Sequence, residues 1–273
     1  MPAAVVLALS AACSTGTATD RPGTPGSSEE AGQAVTVTFT QLPIQVGTNE
    51  GLLRLTNTGA TDLAVTGVGL DWSGYGGEFV RPKDSVVAPG QTLDFPVRLP
   101  RPECGEGSTE VVGVVEVGEA MLRTRLEDSG VDLLRRVRML ACQEQLVRES
   151  VDLEYAEEWT AEGTGRDSSV LGHLRLERRQ GDEPIRLTAA KGSVLFELAL
   201  PGPSTLPGGV RSGEVPLRIL PGGRCDEHAR SQATAPFAFR LTLRIGRETA
   251  TVPLPPPRHV QARANELLDR ACG

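Results

Sequence analysis

The stretch "GLLRLTNTG" (51–59) returns further along the chain as "GHLRLERRQG" (172–181). Leu53, Arg54 and Leu55 align with Leu174, Arg175 and Leu176, an offset of 121 residues. Downstream, "FPVRLPRPEC" (95–104) faces "VPLRILPGGRC" (215–225), placing Pro96 with Pro216, Arg98 with Arg218 and Cys104 with Cys225. Later still, "DLLRRVRMLAC" ends at Cys142 and "ANELLDRAC" at Cys272. Matches in the same order at a nearly constant offset indicate tandem copies of one unit.

The internal pattern of each copy is that of short strands. Leucines flank an arginine with period two, the signature of a half-buried strand. "VTVTFTQL" (35–42) alternates in the same way, with Val35, Val37 and Phe39 on one face and threonines on the other. Strand-like runs recur every ten residues or so, separated by Gly, Pro, Asn and Asp. "TGATD" (58–62) is expected to turn a hairpin, and "GE" (118–119) another. Helix is expected over 131–140, with Leu133, Leu134, Val137 and Leu140 on one face, and over 262–269. "LRLTNTG" followed by an apolar strand resembles bacterial surface immunoglobulin-like modules, whose strands end in an Asn-Thr-Gly turn. The expected fold is all-β: two tandem antiparallel immunoglobulin-like β-sandwiches, over 35–145 and 146–273, each with a short C-terminal helix.

The chain has five cysteines, an odd number. Four of them fall at matching points of the two copies. Such a set can pair in several ways. Duplication favours one bridge per copy, Cys104–Cys142 and Cys225–Cys272. Each would close a loop of about 40–50 residues, worth ~4 kcal/mol in the chain-entropy account. Bridges help here, because aromatic residues make up only 4% of the 273 residues.

Cys13 is left over. It follows the apolar run "AAVVLALSAA" (3–12), too short to span a bilayer, where ~20 residues are needed, and of the length of a secretory leader. The run resembles a bacterial lipobox, in which a peptidase cuts before a cysteine that has received a diacylglycerol. Ser10 stands where a lipobox usually has Leu, with Leu9 one place earlier. The other readings are an ordinary cut after Ala12 and a cytosolic N-terminus. Residues 13–34, rich in Ser, Thr, Gly and Pro, read as a tether. The expected location is therefore extracytoplasmic, with the chain anchored to the cell membrane through lipidated Cys13.

Little in the sequence carries reaction chemistry. Nucleophile-elbow, phosphate-loop and dinucleotide-binding patterns are missing. The formal net charge is −7, with no basic stripe interleaved with aromatics, so nucleic acid is not an expected partner. Lys83 and Lys191 are the only lysines among 28 basic residues, a bias expected of a GC-rich genome. Asp226, Glu227 and His228 follow Cys225 and are the one local set suited to a divalent metal. "RCDEHAR" resembles a Cys-Asp-x-His segment of uncharacterised secreted actinobacterial proteins, which implies no known activity. A solvated turn is the competing reading. "DWSGYGGEF" (71–79) looks like an exposed aromatic loop, with Trp72 and Tyr75 as candidate binding residues. Trp72 is equally suited to a core. Glu154, Glu157, Glu158 and Trp159 are expected on a solvated strand edge. The expected function is a non-enzymatic binding or scaffolding module at the cell envelope, without cofactor and with an envelope protein as partner. The alternatives are a metal-handling or hydrolytic protein built on Asp226, Glu227 and His228, and a plain spacer.

Overall fold

The computed structural model describes residues 35–105, 109–224 and 227–272. Its elements are mostly strands in antiparallel sheets, with few helices. In the first half β1 (Val35–Thr40), β2 (Glu50–Asn57) and β5 (Thr92–Arg98) form one sheet, in the order β1-β2-β5. β3 (Leu63–Trp72), β4 (Gly77–Val87), β6 (Val112–Val117) and β7 (Ala120–Arg125) form another, in the order β4-β3-β6-β7. The alternation in β1 works as expected: Val35, Val37 and Phe39 are buried.

The second half also forms two sheets. β8 (Val151–Tyr155), β10 (Ser169–Arg178), β12 (Phe196–Ala199) and β14 (Ser212–Pro221) run β12-β14-β10-β8, with β9 (Thr160–Glu162) also on β10. β11 (Ile185–Lys191), β13 (Thr205–Leu206), β15 (Arg240–Ile245) and β16 (Glu248–Pro253) run β13-β11-β15-β16. β2 and β10 therefore hold the same central place, flanked by β5 and β14.

The repeated residues explain the match. Leu53, Leu55, Leu174 and Leu176 are all fully buried. Between them Arg54 faces Asp94 across β2–β5, and Arg175 faces Glu214 across β10–β14. Both arginines ion-pair with those acids, at 2.8 and 3.7 Å. The repeated glycine has its own reason. A Cβ on Gly51 would lie 2.3 Å from the Phe39 ring, and one on Gly172 would lie 2.3 Å from the Trp159 indole. An aromatic lid sits on the same backbone spot in each half. Trp159 is thus buried, not part of the solvated edge expected for it, while Glu154, Glu157 and Glu158 are exposed.

Two apolar clusters result. One gathers Phe39, Leu53, Val68, Trp72, Phe95 and Leu134, and the other Trp159, Leu174, Phe196, Leu217, Phe239 and Leu268. The predicted tight hairpin at 118–119 is present, with Val117 opposite Ala120 and Gly118 at φ 59°.

The hairpin expected at 58–62 is not. β2 and β3 lie in different sheets, so this segment crosses between them. Asn57 is the reason. It is fully buried, its amide donates to Thr61 O (2.7 Å) and Val87 O (2.8 Å), and its side-chain oxygen accepts from Gly59 N (2.9 Å). Asn57→Ala leaves these backbone groups unpaired and is expected to cost ~3 kcal/mol in urea unfolding.

The first predicted helix is longer than expected. α1 runs over Asp128–Ser150 and leads straight into β8, so it passes through the 145/146 boundary. Its buried face is Val131, Leu134 and Val137, and Leu140 is exposed. Val147, near its end, belongs to the second cluster. α2 (Glu227–Gln232) is short, and α3 (Arg258–Cys272) buries Val260, Ala264, Leu267 and Leu268. Among the described residues no helix is long and apolar enough to cross a membrane.

Candidate functional site

The loop quoted for its aromatics folds inward. Trp72 ends β3, and Tyr75 closes a 3-10 turn at Ser73–Tyr75. Trp72 is 3% exposed and Tyr75 4%. Neither ring is available to a ligand, which corrects the expectation of an exposed binding loop. The rings meet edge to face at 5.5 Å between centroids. Arg138 of α1 lies over the indole, 5.6 Å from its centre, a cation–π contact. Gly74 permits this stack, since a Cβ there would approach Trp72 to 2.8 Å and Arg138 to 2.9 Å.

Arg138 also clamps the backbone. Its guanidinium donates to Gly74 O (3.3 Å) and Glu103 O (2.9 Å), and Glu103 N donates to Gly74 O. One turn of helix away, Cys142 is bonded to Cys104, with Cα atoms 5.5 Å apart. Helix, turn and the segment after β5 are therefore held together covalently and by the half-buried Arg138. Cys272 is also disulfide-bonded. Cys225, its expected partner, lies outside the described residues, as does Cys13.

The Tyr75 hydroxyl is buried without a hydrogen-bond partner among the described residues. Burial pushes its phenol well above the ordinary value of 10.0, against the pull of Arg138. Tyr155 is pushed up by burial as well, but its hydroxyl donates to Leu254 O at 2.7 Å. Two opposite results are expected. Tyr75→Phe removes an orphaned polar group and gains ~1 kcal/mol, whereas Tyr155→Phe orphans a carbonyl and loses about as much. Both phenols stay protonated in the folded chain after the unfolded chain has ionised. The stability they contribute is intact below 10.0 and is lost as pH rises past it. Urea midpoints measured on either side of that pH check this, and Tyr75→Phe shrinks the loss.

Two clefts flank α1. One of about 680 Å³ is lined by Cys104, Arg138, Met139, Cys142, Gln143 and Glu248. Another of about 600 Å³ is lined by Asn49, Arg101, Arg148, Glu149 and Arg179. Both are open, and Arg101 pairs with Glu149 in the second.

The three histidines sit apart in the fold. His173 is on β10 opposite Pro216, His228 is in α2, and His259 is in α3, 3.2 Å from Ala156 O. Glu227 and His228 are exposed at the start of α2. Asp226, the third residue of the expected metal set, lies outside the described residues. Among the described residues no group of three His, Cys, Asp or Glu is placed to hold a metal ion.

No family model matches the chain. No curated protein matches it either. Comparison with solved structures returns distant likenesses. A red sea bream transglutaminase aligns with 84% of this chain at 10% identity and a TM-score of 0.26, and the chain spans about a third (33%) of that protein's length. A protein of unknown function from Porphyromonas gingivalis W83 aligns with 81% at 15% identity, covering 99% of that protein, at a TM-score of 0.21. The BSP domain of a biofilm associated protein aligns with 81% at 10% identity, covering 58% of that chain, at a TM-score of 0.21. No activity, ligand or partner is carried over from likenesses of this size.

Proposed function

We propose that the chain is a non-enzymatic binding or scaffolding module of the cell envelope, held at the membrane by a lipid on Cys13. In this reading residues 1–12 are a cleaved leader and 13–34 a tether. The remainder is two tandem immunoglobulin-like β-sandwiches, each closed by a helix and by a bridge, Cys104–Cys142 and Cys225–Cys272. The observation that carries the reading is the disulfide at Cys104–Cys142 together with the bonded state of Cys272. Bridges of this kind persist in oxidising compartments outside the cytosol. With four cysteines in two bridges, the fifth is free for the lipid. The recurrence of one strand order around β2 and β10 supports the tandem arrangement.

Fractionation of a bacterial host that processes lipoproteins tests this. The natural chain is expected in the membrane fraction and extractable by detergent. The Cys13→Ser chain is expected to lose that association. Equal membrane recovery of both, or recovery of both in the cytosol, contradicts the anchor.

A further inference from the structure

The charge pattern on the sheets is uneven in a way that points to a ligand. On β2–β5 and β10–β14, cations face acids: Arg54 opposite Asp94, Arg98 opposite Glu50, and Arg175 opposite Glu214. On the β4-β3-β6-β7 sheet, Arg123 reaches both Asp71 and Glu78. The β13-β11-β15-β16 sheet breaks this rule. Its inner face carries Ile185, Leu187, Leu241 and Leu243 into the core. On its outer face Arg186 stands directly opposite Arg244, and Lys191 directly opposite Arg240. All four side chains are exposed. Among the described residues none of the four forms an ion pair.

Like charges directly opposite each other weaken a sheet. Here two such pairs sit on the same face, one outward-facing row apart, with no acid in the row between them. The row between holds Ala189 and Thr242. Thr242 and Thr251 share a hydrogen bond at 3.0 Å, so hydroxyls line the gap between the pairs. Arg240 and Arg244 are four residues apart on β15, which sets the pairs about 13 Å apart along the strand. At the Lys191/Arg240 end the strip runs into a cleft of about 390 Å³, also lined by Ser193, Gln232 and Thr234. The β16 edge is closed by α1, where Gln143 Oε1 accepts from Thr251 N at 3.1 Å. The face itself stays open.

We infer that this strip, centred on Arg186, Lys191, Arg240 and Arg244, binds a linear phosphate-bearing polymer laid along β15. Guanidinium forks and hydroxyls together suit phosphate oxygens, and Arg pairs with them through two parallel bonds. The strip offers no aromatic ring for stacking, so a polymer with bases gains nothing here. A flat anionic membrane fits worse. The chain's formal net charge is −7, so apart from these four cations the rest of the chain is more acidic than the whole, and a broad negative plane that meets more than the strip is repelled. A thin polymer meets only the strip. The inference goes beyond the proposed envelope role and does not depend on the lipid on Cys13.

The test uses the full chain in mild detergent and end-labelled inorganic polyphosphate, read by fluorescence anisotropy. Binding is expected to weaken with salt, with a log–log slope of about −3 for four contacts. Arg186→Glu/Arg240→Glu turns each like-charged pair into an ion pair. It is expected to melt no lower than the natural chain and to bind at least ~10-fold more weakly. The neutral quadruple variant with Gln at all four positions is expected to lose binding as well. Arg81→Glu/Arg136→Glu makes the same change in net charge at exposed sites off the strip, and is expected to bind within about 2-fold of the natural chain. Retained binding by both strip variants overturns the inference, as does an equal loss in the Arg81/Arg136 control. Equally tight binding of poly-L-glutamate, tighter binding of a single-stranded oligonucleotide, or equally tight binding of phosphatidylglycerol vesicles by the Cys13→Ser chain without detergent overturns it too.

Discussion

Replacing Cys104 and Cys142 together by alanine is expected to lower unfolding stability by about 4 kcal/mol. The bridge spans 38 residues, so its loss frees a long loop of the unfolded chain. Native contacts suffer as well. Cys142 and Arg138 are one helical turn apart, and Arg138 holds Gly74 and Glu103 by their carbonyls. Without the bridge, the segment after β5 is held to α1 by those bonds and by the Arg101–Glu149 ion pair, which is exposed and contributes little. Urea unfolding under oxidising conditions measures the change. The first apolar cluster, around Phe39 and Leu134, is expected to lose stability while the second keeps its own, separating the two transitions. A drop below ~1 kcal/mol would show that the bridge decorates the fold and does not hold it.

Trp159→Ala is expected to cost ~3–5 kcal/mol, because it strips the lid from Gly172 and opens a cavity in the second cluster. Gly172→Ala is expected to cost ~1–3 kcal/mol from the opposite cause, since the new methyl is driven into the indole. The double variant should cost clearly less than the sum, because the methyl then occupies space the indole has left. The indole nitrogen donates to Ala156 O at 2.7 Å, which fixes the ring over the strand and keeps Gly172 from escaping by a ring flip. Phe39 and Gly51 form the matching pair in the first half, and the same cycle there is expected to show the same sign of coupling. Strict additivity at both sites would mean that the repeated glycine is not required by its ring.

The strands were legible because they depend on local alternation. Leu53 and Leu55 flank Arg54 in any window, and a period of two places the leucines inward. Cys104–Cys142 was legible because duplication ties each cysteine to a structural position. What depended on distant neighbours was not. The 58–62 turn looked like a hairpin because nothing local shows that Val87 O, thirty residues on, draws the Asn57 amide inward. Trp159 looked exposed because three glutamates surround it in sequence, and its glycine partner lies on another strand. One signal was available: Gly172 repeats Gly51, and a glycine kept inside a strand often means a close neighbour. Tyr75 was misplaced because glycines around it suggested an exposed loop, whereas Gly74 is there to admit Trp72 and Arg138. The α1 extension to Ser150 hid behind a polar stretch whose anchoring comes from Val147 in the second cluster and from the Cys142 bridge. The basic strip was invisible because strand register alone sets Arg186 against Arg244, more than fifty residues apart.

Intact mass spectrometry of the mature protein, isolated from a lipoprotein-processing bacterium without reduction, decides whether the chain is anchored and bridged as proposed. The expected mass is that of a chain beginning at Cys13, heavier by a diacylglycerol thioether, and four hydrogens lighter than the same chain with all other cysteines as thiols. A mass that retains residues 1–12, lacks the lipid, or shows free thiols among Cys104, Cys142, Cys225 and Cys272 would contradict it.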